Sequence, residues 1–149
     1  MLATVKLLAI IFVALCLVPT GAHFFELPNK MALSPQHYMV VQTIYAGWAF
    51  FGIAVFGALA FTLAHMVLVR GDWTAMGLSL AAFLLLVATQ VIFWTFTYPM
   101  NVASANWTVM PDHFEAARRQ WEYSHAVSAA LTLVALILLC GSMLRANSH

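Results

Sequence analysis

Apolar residues run along this chain in four long blocks separated by short polar stretches. A helix needs about 20 predominantly apolar residues to cross a bilayer core, and each block reaches that length. The first is expected over about 5–27, ending at Pro28-Asn29. The second has a start signal in Ser34 as N-cap with Pro35 at the first helical position. It should run unbroken to Val69, just before Gly71, with its first turns above the bilayer and its span over about 40–69. The third follows Asp72, a candidate N-cap, and covers about 73–98, where Pro99 should break it. The fourth should open at Asp112, with Glu115 three residues on as a capping box. Its first turns are polar, and its span covers about 120–144.

These elements predict an all-α, integral membrane four-helix bundle formed by a single domain, 1–149. Arg70-Gly71-Asp72 makes a tight turn at one end, shared with both termini, and residues 28–34 and 99–112 make longer loops at the other. Composition agrees: the chain is 64% hydrophobic and 7% charged, against about 25% charged residues in soluble domains. The first 25 residues also have the outline of a signal peptide, with Lys6 before an apolar core and Thr20-Gly21-Ala22 as a small-residue site. The uncharged run from Leu7 to Phe25 is long enough to span, and a retained helix is expected.

Charge narrows the partners. A net charge of +1 gives no basis for nucleic-acid binding. The bilayer is the expected partner, with an apolar small molecule as ligand and a homo-oligomer or larger membrane complex as possible settings. Gly47, Gly52 and Gly57 permit close helix packing within or between chains. Lys6, Arg70 and Arg145 lie at the terminus end and Lys30, Arg118 and Arg119 at the other. The positive-inside rule then slightly favours cytoplasmic termini, in a bacterial inner membrane. Cys16 and Cys140 sit in apolar runs and read as buried thiols rather than a disulfide.

Counting inward at 1.5 Å per residue puts His23, Trp48, Trp94 and His125 in one layer near the loop-rich end, with Tyr45, Gln42, Tyr98 and Trp121 just above. The first helix ends in His23-x-x-Glu26 and the fourth carries Glu122-x-x-His125. Residues at i and i+3 share a helix face. On antiparallel helices the order inverts, so both imidazoles fall at one depth and both carboxylates one turn nearer water. His23, Glu26, Glu122 and His125 are therefore candidate ligands of a metal (copper, iron or zinc), or the histidines are axial ligands of haem b. Glu26 and Glu122 are also candidate catalytic bases. The plainer reading pairs Glu26 with Lys30 and Glu122 with Arg118 on the helix surface. His37, His113 and His65 are weaker candidates. Trp48, Trp94, Tyr98 and Trp121 belong to an interfacial belt or line a pocket for a flat apolar cofactor or substrate. Asn101 is a further candidate cofactor-binding residue, and loop or capping hydrogen bonds are the plainer reading of both Asn101 and Asn106.

The stretch His23-Phe-Phe-Glu26-Leu-Pro28-Asn29-Lys30, the segment Tyr98-Pro99-Met-Asn101 and the run Arg119-Gln-Trp121-Glu-Tyr-Ser-His125 resemble the bacterial DUF1772, or anthrone-oxygenase-like, family. The likeness covers nearly the whole chain. It implies a small membrane oxidoreductase that oxygenates a reduced polyketide aromatic, an anthrone, to an anthraquinone. Without that likeness the same residues fit a non-catalytic haem- or metal-binding subunit, or a structural scaffold.

Overall fold

A computed structural model describes residues 1–145, and the fold is all-α, with no strand among the described residues. The helices are α1 (Leu2–Met31), α2 (Pro35–Gln42), α3 (Gly52–Leu68), α4 (Trp73–Ile92), α5 (Tyr98–Ala103) and α6 (Phe114–Arg145). Four stretches are long and apolar enough to cross a membrane: Leu2–Met31, Trp48–Leu68, Trp73–Ala103 and Phe114–Arg145. They close into a ring in which α1 packs on α3 and α6, and α4 packs on α3 and α6. The core is built of small residues, Ala9, Ala54, Ala58, Ala82 and Ala135, interleaved with Val13, Leu86 and Leu139. Small side chains let helix backbones approach where the surroundings are as apolar as the interior. Larger ones such as Phe50, Ile53, Phe56 and Ile137 face outward, as a lipid-facing surface requires.

The first turns of α1 and the last turn of α6 lie with the 69–72 turn. Lys6 Nζ donates to the Met143 carbonyl at 3.4 Å, and Arg145 pairs with Asp72 at 3.2 Å. Asp72 caps α4, accepting from the Thr74 and Ala75 amides. Just inside this end, fully buried His65 meets Ser142 Oγ at 3.2 Å, and Ser142 donates to the Ala75 carbonyl at 2.7 Å. His65 thus ties α3, α4 and α6 together. Gly57 has a packing role, since a Cβ there would lie 2.4 Å from the Phe12 ring on α1. Gly47 and Gly52 meet no neighbouring side chain.

Four boundaries differ from the sequence expectation. Pro28 does not stop α1, which continues to Met31. A helical proline removes one N–H and one i→i−4 bond, and a short overrun past it tolerates that loss. The second helix is not continuous. After α2 come two 3₁₀ turns, Thr43–Tyr45 and Trp48–Phe51, joined at Gly47, whose φ of 85° is left-handed. Such a backbone suits glycine, and the spanning part shortens to Trp48–Leu68. The third helix passes through Pro99, because a π turn at Phe93–Thr97 resets it and the proline falls in the first turn of α5. Gln120 Nε2 on α6 donates to the Phe96 carbonyl within that turn at 3.0 Å. The fourth helix begins at Phe114 rather than Asp112. Glu115 does not close a capping box there; its carboxylate takes Arg118 at 2.6 Å.

Candidate functional site

At the loop-rich end α1 and α6 lie side by side, and the inverted His/Glu motifs meet as their spacing predicts. The imidazoles of His23 and His125 stand with ring centroids 4.3 Å apart. Trp121 sits edge-on to both, at 4.7 Å from His23 and 4.4 Å from His125. Tyr45 and Trp48, from the broken stretch before α3, close the other side of His23 at 4.4 and 5.9 Å. His23 is buried and His125 half-buried. Asn101 accepts from Trp121 Nε1 at 2.7 Å and so fixes the indole from α5.

The extra turn of α1 beyond Pro28 carries Lys30 into this cluster, where it is only 3% exposed. Its Nζ lies 2.7 Å from Glu122 Oε1 and 4.0 Å from Glu26 Oε2. It is also 3.4 Å from His23 Nδ1. The rings of Tyr45, Trp121 and Tyr38 stand 4.7, 4.9 and 5.5 Å from it. An ammonium can only donate, so Nδ1 accepts and the His23 ring proton rests on Nε2. Aromatic faces around a desolvated cation add attraction beyond the ion pair. Glu122 is fully buried and also accepts from Tyr38 Oη at 2.8 Å, while Gln42 Nε2 donates to the same hydroxyl at 2.6 Å. Burial and the neighbouring carboxylate hold the Tyr38 phenol well above the usual tyrosine range. Burial and the hydrogen bond to Glu26 do the same for Tyr45.

Some expected partners are replaced. Glu122 does not pair with Arg118. It pairs with Lys30 across the α1–α6 interface, and Arg118, itself buried, turns to Glu115 and to the Leu33 carbonyl at 2.9 Å. Residues 33–38 cover this face of α6, so Arg118 meets the Leu33 carbonyl and Glu122 accepts from Tyr38. Glu26 keeps a looser relation, 3.9 Å from His23 Nδ1, and accepts from Tyr45 Oη. Trp94 and Tyr98 do not join the cluster. They are exposed and pack at an angle against each other, at 4.9 Å, and against Phe93, because the π turn shifts the helical phase and turns them outward.

Sequence reasoning pairs Lys30 with Glu26, which the structure keeps at 4.0 Å, but it ends the helix before Lys30 and does not single out Tyr38. The missed signal is the spacing 23, 26, 30, which is i, i+3, i+7 on one helix face once α1 is allowed past Pro28. Tyr38 and Gln42 carry a similar i, i+4 signal in α2.

Two features test whether these side chains, as arranged, fit a metal or haem. Iron held between two trans imidazoles needs ring centroids about 6 Å apart, from metal–nitrogen distances of ~2 Å. The observed 4.3 Å leaves no room between the rings. The place where Glu122, Glu26 and His23 Nδ1 converge is taken by the Lys30 ammonium, so a second cation there would meet a fixed like charge. Among the described residues no group of three or more His, Cys, Asp or Glu side chains is disposed to hold a metal ion. The donor set in this arrangement serves Lys30.

A comparison of the chain with protein-family models, curated proteins and solved structures finds no match.

Proposed function

We propose that this chain is an oxygenase-like enzyme of the bacterial inner membrane whose His–Lys–Glu cluster does acid–base chemistry on a flat apolar aromatic molecule. The observation that carries the reading is the His23–His125 pair, walled by Tyr45, Trp48 and Trp121 and backed by the buried Lys30–Glu122 ion pair. Aromatic walls suit a planar substrate arriving from the bilayer. The half-buried imidazole of His125 is the base, taking a proton from the ring methylene carbon opposite the carbonyl, with which it is conjugated through the flanking aromatic rings. The Lys30 ammonium supplies the positive charge that favours the resulting enolate oxygen. Dioxygen is the oxidant: one of its atoms becomes the new ring carbonyl and the other leaves as water. The likeness to anthrone-oxygenase-like proteins points to the same substrate class and rests on the motifs quoted above.

Cytoplasmic termini also gain support from the charges. At the loop-rich end Lys30 is committed to a buried ion pair and Arg118 to Glu115, which leaves Arg119 exposed, whereas both Arg70 and Arg145 are exposed at the other end, as the positive-inside rule favours.

The test is oxygen uptake by purified protein in liposomes given anthrone. The expected result is anthraquinone formation above the protein-free rate, reduced by about 10²-fold or more in His125→Ala and unchanged by chelator treatment. A rate no higher than that of empty liposomes overturns the reading. Loss of activity together with a bound metal on chelation would assign the histidines as ligands instead.

A further inference from the structure

Three consecutive residues in the loop before α6, Ala105, Asn106 and Trp107, adopt left-handed backbone with φ of 46°, 56° and 63°. None is glycine, and such runs are strained for side-chain-bearing residues. The strain has a visible product: it holds the Trp107 indole inward, buried, 5.2 Å from the Tyr38 ring and 5.5 Å from Trp121. Yet the indole N–H finds no protein acceptor. The same holds around it for Arg118 Nε–H, Gln42 Oε1 and Glu122 Oε2, all on residues at most 5% exposed. Tyr38 links three of these groups directly: its hydroxyl bonds Gln42 and Glu122, and its ring faces Arg118 at 5.5 Å.

Two buried donors and two buried acceptors gathered about one phenol call for a guest that both gives and takes hydrogen bonds. A buried polar group left without a partner is costly. Water is the smallest guest that serves both signs, and internal waters take two to four such bonds. We propose that Tyr38, Gln42, Trp107, Arg118 and Glu122 form an internal water site, and that it is the route by which protons pass between the loop-side aqueous phase and the Lys30–Glu122 pair. The assignment gives the acid–base site of the preceding section two faces. The aromatic wall meets the bilayer, and the Tyr38 side meets water. Its purpose rests on that reading, while its existence rests on the loop strain and the four unpartnered atoms.

The test uses the full chain with ¹⁵N-indole tryptophan in lipid nanodiscs, its five indole signals assigned through Trp107→Phe and Trp121→Phe. The Trp107 indole N–H is expected to show direct cross-relaxation with water and to exchange with D₂O about tenfold faster or more than that of Trp121, which Asn101 holds. Gln42→Leu should slow the Trp107 exchange while the other four signals stay in place, which reports that the variant is folded. A Trp107 indole that shows no water contact and exchanges as slowly as Trp121 overturns the proposal. The two readings fail separately. A wet Trp107 in a protein that leaves anthrone untouched keeps the water site and removes its proton-carrying role. A dry Trp107 in an active enzyme removes the water site alone.

Discussion

Replacing Lys30 by methionine keeps an unbranched chain of similar length and deletes only the charge. The structure sets the size of the effect. Nζ and Glu122 Oε1 are 2.7 Å apart, with side chains 3% and 0% exposed. At an effective dielectric of about 20, unit charges at that distance attract by about 6 kcal/mol, much of it offset by the cost of taking both from water. Removing the ammonium alone leaves the Glu122 carboxylate buried and uncompensated, for which about 3–5 kcal/mol of lost stability is usual. Lys30→Met/Glu122→Gln removes both charges and keeps an acceptor for Tyr38, so most of the loss should return. The assay is a double-mutant cycle from reversible unfolding in mixed detergent micelles. A single-variant loss of only about 0–1 kcal/mol, the size typical of an exposed pair, would refute the buried ion pair and with it the placement of α1 beyond Pro28.

Gly57→Ala should lower stability by about 1–3 kcal/mol in the same assay, because its Cβ would sit 2.4 Å from Phe12 Cδ1; a neutral result would mean that α1 and α3 are not in contact there. The Asp72 carboxylate is held below its usual range by the Ala75 amide, with further help from Arg145 and the Thr74 amide. Its contribution to stability is therefore complete above about pH 3.9 and is lost as pH falls through the lower folded value. Asp72→Asn should flatten that acid limb, and an unchanged pH profile would count against the cap. Single cysteines at Asn29 and Ala105 should label from one side of the membrane and a cysteine at Gly71 from the other; any different pattern breaks the topology.

The spans were legible because hydropathy over about 20 residues is a long-window signal, which local irregularities do not erase. The meeting of His23 with His125 was legible too, since two i, i+3 motifs on antiparallel helices place like residues at like depth. Lys30 was not, because Pro28 reads locally as a stop while the packing of α1 on α6 carries the helix on by three residues. Arg118 was misassigned for a related reason: spacing rules see Glu122 at i+4 but not the Leu33 carbonyl, 85 positions away in sequence. The phase of Trp94 and Tyr98 depends on a π turn that no hydrophobic pattern announces. Trp107 is held inward by three left-handed residues, two of them types with no special liking for that backbone.

Deuterium incorporation at the methylene carbon of anthrone, opposite its carbonyl, followed in D₂O without oxygen, isolates the proton-transfer step from every later one. Wild-type protein in liposomes should exchange that position well above the protein-free rate. His125→Ala and Lys30→Met should each fall back to it, with Tyr98→Phe, outside the cluster, behaving as wild type. Equal exchange with and without the wild-type protein would contradict the account.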